Sequence, residues 1–150
     1  MEKHELSYIA GFFDGEGSIN ILTRKRPKNT EYTLTVAIGQ KDGATLDWIK
    51  ENFGGNVYLI KRDGSFYWAI SHKKAIVFLK ELLPFLQYKK PQALVAIEYY
   101  ENMTKRARIT SREEIGRREQ ARLQLIALKK TIVKSQYAGS TTKRADPKGM

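Results

Sequence analysis

No cysteine occurs among the 150 residues, which removes disulfides and thiolate metal sites together. Histidine is scarce as well: only His4 and His72 offer imidazole, so a structural zinc is not expected. No stretch approaches the roughly 20 continuous apolar residues that a membrane-spanning helix needs. Met1 to Ser7 carries acids and no apolar centre, so it does not read as a secretory signal. Acids are the minority charge, 16 Asp and Glu against 27 Lys and Arg, which leaves a formal net charge of +11. Such an excess attracts polyanions, of which nucleic acid is the commonest and a membrane surface the competitor. With 41% apolar and 29% charged residues the composition is that of a globular chain, and the length that of one domain. The chain is expected to be intracellular (prokaryotic or archaeal cytoplasm, or an organelle), directed at nucleic acid, with no membrane partner and no small-molecule substrate. Charge alone does not separate an enzyme from a binding module.

Hydrophobic spacing supplies the order of elements. Leu6, Ile9, Ala10 and Phe13 recur at helical spacing, and Gly15 and Gly17 are expected to end that helix through a left-handed turn. Alternation follows. Ile19 and Ile21 point one way, with Ser18, Asn20, Leu22 and Arg24 the other; after a loop at 25–30, Tyr32, Leu34, Val36 and Ile38 alternate with Glu31, Thr33, Thr35 and Ala37. A short helix over 44–53 closes at Gly54 and Gly55. Strands over 56–62 and 65–71 flank Asp63-Gly64, the signal of a two-residue hairpin pairing Arg62 with Ser65, Ile60 with Tyr67 and Tyr58 with Ala69. Val57, Leu59, Phe66, Trp68 and Ile70 form the more apolar face and are assigned to the core. Helices follow over 74–83, over 91–103 with Pro91 in the first turn, and from a capping box at Ser111 and Glu114 to about Tyr137. The expectation is an α+β fold, αββαββα with an antiparallel four-stranded sheet and a C-terminal helical extension. It divides into a domain over 1–138 (core 6–103, C-terminal helices 104–138) and a loose basic tail over 139–150.

The segment Ile9-Ala10-Gly11-Phe12-Phe13-Asp14-Gly15-Glu16-Gly17, with the strand opening Ser18-Ile19, resembles the LAGLIDADG motif of homing endonucleases. The resemblance covers about residues 6 to 103. It implies a metal-dependent, site-specific endonuclease that makes a double-strand break with short 3′ overhangs, encoded within an intron or intein. Gly11 and Gly15 lie four residues apart on one helical face, leaving a flat strip on which another backbone can pack. An identical helix packed there across a twofold axis brings two Glu16 carboxylates together, a pairing suited to Mg²⁺ and similar hard cations. One motif per chain implies a homodimer, its interface built on Gly11, Phe12, Asp14 and Gly15. The resemblance makes Glu16 the catalytic and metal-binding acid, where the family motif has Asp, and adds the Gly15 carbonyl as a metal ligand. Mn²⁺ is expected to substitute for Mg²⁺. It further implies that Gln40 holds a water near the metal and that Lys89, with Lys90 as the fallback, faces the scissile phosphate.

A sheet with one polar face suits the major groove of double-stranded DNA, where each base pair shows a distinct donor and acceptor pattern. The expected reading surface comprises Asn20, Leu22, Arg24, Arg26, Lys28, Glu31, Thr33 and Thr35 from the first strand pair. The second pair adds Tyr58, Ile60, Arg62, Ser65 and Tyr67. Arg24, Arg26 and Arg62 suit guanine, Asn20 suits adenine, and Leu22 and Ile60 suit thymine methyls. Lys25, Lys28, Lys61, Lys73 and Lys74 are assigned to phosphates, where they add affinity without sequence information. The basic residues of the last helix, Arg112 to Lys130, either extend that footprint or form a solvated face. The alternatives are an RNA maturase or DNA-binding regulator of the same fold without cleavage activity, and a basic ribosomal or scaffold protein.

Overall fold

The computed structural model describes residues 1–103 and 111–137, with side chains described as far as residue 130. The expected basic tail over 139–150 and the segment 104–110 lie outside the described residues. Element order is α1 (Lys3–Glu16), β1 (Gly17–Lys25), β2 (Thr30–Gln40), α2 (Gly43–Phe53), β3 (Asn56–Ile60), β4 (Ser65–Ser71), α3 (His72–Leu82), α4 (Lys90–Asn102) and α5 (Arg112–Tyr137). The fold is α+β, with one antiparallel four-stranded sheet in the order β1-β2-β4-β3.

Alternation decides which face of the sheet is buried. Ile19 and Ile21 of β1, Leu34, Val36 and Ile38 of β2, and Trp68 and Ile70 of β4 are all buried on the face covered by the helices. Phe78 of α3 sits at the centre of that layer, with the rings of Phe13, Phe53 and Trp68 at 5.3, 4.9 and 5.1 Å. The Trp68 indole N–H donates to the Gly54 carbonyl at 2.9 Å, so the large aromatic is buried with its polar atom satisfied. Leu59 is the exception to the assigned core face: it is exposed at the end of the edge strand β3.

Three local expectations differ from the structure. α1 does not stop before its glycines: it runs through Gly15 to Glu16, and no left-handed turn follows. Gly17 has an ordinary extended conformation, and its requirement is spatial, because a Cβ there would lie 2.0 Å from the Phe13 ring. The Asp63-Gly64 hairpin is not a two-residue turn. β3 ends at Ile60, and Lys61 to Gly64 form the connection, so Ile60 pairs with Ser65, Tyr58 with Tyr67 and Asn56 with Ala69. The Gly64 N–H donates to the Ile60 carbonyl at 2.9 Å, and Asp63 accepts from the Ser65 N–H at 2.9 Å, which closes a wider turn with Gly64 left-handed at φ 71°. The slip is an even number of residues, so every side chain keeps its expected face. Gly54 and Gly55, with φ 77° and 88°, do end α2 as expected. Ser111 accepts from the Glu114 N–H at 3.1 Å, but the Glu114 carboxylate turns to Arg117 and Arg118 instead of back to the cap.

Candidate acidic centre and nucleic-acid interface

α1 presents two faces. Ile9, Ala10 and Phe13 are buried in the core, whereas Tyr8, Gly11 and Gly15 are exposed and Phe12 is half-buried. A Cβ added at Gly11 or Gly15 meets nothing within 4 Å, so the strip they form is bare in this chain. Tyr8 borders the strip, its ring stacked 6.3 Å from Phe12 and tilted against Trp48 of α2 at 6.0 Å. Helical spacing, three residues from Gly11 and four from Phe12, is the sequence signal that puts Tyr8 on this face. Glu16 closes α1 and is exposed at the point where the chain enters the sheet.

Asp14, by contrast, faces into its own chain. Its carboxylate accepts from the backbone N–H of Gln87 at 2.8 Å and of Lys89 at 2.9 Å, while its carbonyl accepts from Lys89 Nζ at 2.6 Å. The acid of the helix end therefore anchors the segment before α4, a role its spacing in sequence did not reveal. Lys89 is buried at 7% exposure, and its amine lies 5.0 Å from the centre of the Tyr88 ring. Burial holds that amine below the ordinary lysine range, opposed by the negative charges of Asp14 and Glu16. Lys90, the fallback position, opens α4 and is exposed.

Gln40 ends β2, two residues beyond the Ile38 that pairs with Gly17, so it lies at the same end of the sheet as Glu16. Its amide oxygen accepts from the Lys41 N–H at 2.8 Å. Glu16 and Gln40 thus lie at the same end of the sheet, and Lys89 is tied to the last turn of α1 through Asp14. Among the described residues no three acidic or histidine side chains converge as a metal site. The donors present, one exposed carboxylate and the carbonyl before it, are hard oxygen ligands of the kind divalent cations take, but fewer than the roughly six such a cation needs.

The sheet's other face carries Asn20, Leu22, Arg24, Glu31, Thr33, Thr35, Tyr58, Ile60, Ser65 and Tyr67, all placed on one side by the observed registers. Leu22, Tyr58 and Tyr67 are well exposed. Thr35 shares the face but is only 8% exposed, its hydroxyl 3.3 Å from that of Ser71, so it has little surface to offer a partner. Arg26, Lys28 and Arg62 fall outside the strands, in the connections, and Arg26 is paired with Glu31 at 3.2 Å. Lys25 ends β1 and Lys61 belongs to the β3–β4 connection, whereas Lys73 and Lys74 lie in the first turn of α3, next to a cavity of about 350 Å³ bordered by Phe53 and Glu81.

α5 runs along the edge strand β1. Glu119, held by Arg122, accepts a hydrogen bond from the Tyr32 hydroxyl at 3.0 Å on the core side of the sheet. Burial first, and then this acidic neighbour, push the Tyr32 phenol above its ordinary value. Farther along the helix, Lys129 reaches the opposite face and donates to the Asn20 amide oxygen.

A sequence-family model described as LAGLIDADG endonuclease matches residues 9–100. The chain is 33% identical over 69 residues to the intron-encoded RNA maturase bI4 of Saccharomyces cerevisiae, covering 45% of this chain and 11% of that protein. It is 28% identical over 99 residues to an uncharacterized cox1 intron-2 protein of Schizosaccharomyces pombe, covering 59% of this chain and 31% of that one. The chain therefore spans less than a third of the length of either curated relative. Among solved structures, an archaeal intron-encoded homing endonuclease complexed with DNA superposes with a TM-score of 0.75 at 21% identity, covering 85% of this chain and 86% of the other. The homing endonuclease I-CvuI, in complex with the I-CreI target in the presence of magnesium, superposes with a TM-score of 0.72 at 18% identity, covering 96% and 87%. At these identities the structural likeness is one of fold.

Proposed function

The chain belongs to the LAGLIDADG endonuclease family, and on that premise we propose that it is a site-specific endonuclease acting as a homodimer on long, pseudopalindromic double-stranded DNA. The observation that carries the reading is the bare strip at Gly11 and Gly15 ending in an exposed Glu16, beside buried Lys89 and at one end of the open sheet face. Two such strips packed across a twofold axis bring one Glu16 from each chain together, with the Gly15 carbonyls alongside. Divalent cations, Mg²⁺ with Mn²⁺ as a substitute, would there supply Lewis-acid activation of water and charge neutralisation at the phosphate. Gln40 orients a water at the same edge. Lys89, held in place by Asp14, puts a positive amine next to the phosphate that is cut. The open sheet face lies in the major groove, and each Glu16 serves one strand, so the product is a double-strand break with short 3′ overhangs. A gene position within an intron or intein, and an intracellular site of action, go with this reading; among the described residues no helix is long and apolar enough to cross a membrane.

The test is Glu16→Gln, which keeps the size and removes the charge. It should bind selected duplexes as the wild type does, with Mg²⁺-dependent cleavage reduced by more than about 100-fold, the upper end for a merely supporting partner of a metal ligand. Unchanged cleavage by this variant would sink the assignment. The relative that is an intron-encoded RNA maturase favours a second reading, RNA binding by the same fold. Tight binding to a structured intron RNA, with no nicking of any duplex in a randomised pool, would select that reading instead.

A further inference from the structure

Lys129 lies 109 residues from Asn20 in sequence, yet its amine donates to the Asn20 amide oxygen. The contact is a consequence of how α5 crosses the sheet edge. Glu119 is tied to Tyr32 on the core side, Leu125 is buried at 1% exposure, and Lys129 emerges on the open side. From Glu119 to Lys129 the helix rises about 15 Å, enough to pass the edge strand from one face to the other. Asn20 points to the open face, level with Thr35 and Ser71.

An ammonium has three donors and no acceptor, so only the oxygen of an asparagine amide can face it. The orientation of the Asn20 amide is therefore set by Lys129. Its NH₂ group is left to point elsewhere, and a positive charge sits beside its oxygen. The bidentate contact of asparagine with adenine needs that oxygen to accept from the adenine amino group. A cation beside the oxygen opposes any base edge that presents a donor, and favours edges that present acceptors. Guanine offers two acceptors in the major groove and thymine one, whereas adenine and cytosine present an amino group.

We propose that Lys129 is a specificity-determining residue: by holding the Asn20 oxygen it converts Asn20 into a donor that selects guanine or thymine over adenine. This rests on the reading that the sheet binds DNA, and it replaces the expectation that Asn20 reads adenine. The half-buried amine of Lys129 is held below the ordinary lysine range by burial and then by the charge of Lys89.

Selection of bound duplexes from a randomised pool, with the full chain in Ca²⁺, tests it. Asn20→Ala identifies the position, by erasing the preference at one base pair per half-site. Wild type should favour guanine or thymine there. Lys129→Met should move that position toward adenine by at least about 5-fold, with other positions unchanged, and Lys129→Arg should restore the original preference. Uniformly weaker binding by Lys129→Met with every base preference intact would overturn the proposal and leave Lys129 as a phosphate contact. An adenine preference in the wild type would overturn it too. Failure of the wild type to enrich any duplex would remove the DNA-binding premise, and is visible before any variant is compared.

Discussion

Asp14→Asn probes the link between the motif helix and the segment bearing Lys89. The carboxylate accepts two backbone N–H groups, that of Gln87 where water has access and that of Lys89 in a more enclosed position. An amide in its place keeps one acceptor but aims an NH₂ group at the second N–H, donor against donor. Hydrogen bonds to a charged group contribute about 1.5–3 kcal/mol each, with less where solvent replaces the partner. The expected loss is about 2–4 kcal/mol. For a chain of this size, at roughly 2–4 °C per kcal/mol, that lowers Tm by about 5–15 °C. Urea unfolding at several protein concentrations is the assay. A loss that persists at concentrations too low for self-association belongs to the chain itself, because a partner stabilises only where the dimer is populated. An Asp14→Asn protein within about 0.5 kcal/mol of wild type would refute the anchoring role.

Three further outcomes follow from the same geometry. Gly17→Ala drives a methyl into the Phe13 ring, 2.0 Å from its nearest carbon, and should cost at least about 1–3 kcal/mol in chemical denaturation; a neutral result would show that the ring moves freely. Gly11→Ala should stabilise the isolated chain by up to about 1 kcal/mol through helix propensity. The same substitution should weaken self-association in sedimentation, since its Cβ is free in one chain and obstructs a partner helix; unchanged association would place the dimer seam elsewhere. Lys89 has an amine held below its unfolded value, so between the two values the unfolded chain binds more protons and stability rises with pH. The unfolding free energy of wild type relative to Lys89→Met should therefore climb as pH rises through the window just below the ordinary lysine pKa, and a flat or falling difference would contradict the burial.

How much was legible varied with the range of the interaction. The order of elements, the core face of each strand and the left-handed closure at Gly54 all follow from near neighbours in sequence, and the structure has them. The Asp63-Gly64 hairpin was misread because Asp63 uses its side chain to cap Ser65, which widens the turn. Parity alone puts Thr35 on the reading face, and it says nothing of the Ser71 hydroxyl directly opposite on the neighbouring strand β4. Gly17 was assigned a backbone role, whereas its cause is a ring four residues earlier that alternation does not report.

Composition, alternation and one motif determined by themselves that this chain is a basic α+β domain with an acidic helix end and a sheet bearing one apolar and one polar face. Those properties repeat with the periods of helix and strand, so neighbouring residues encode them. Only the tertiary structure decided that Asp14 holds the backbone of Gln87 and Lys89, and that α5 brings Lys129 to Asn20. Partners 73, 75 and 109 positions apart meet because packed elements carry them together, and no local pattern records which surfaces will touch.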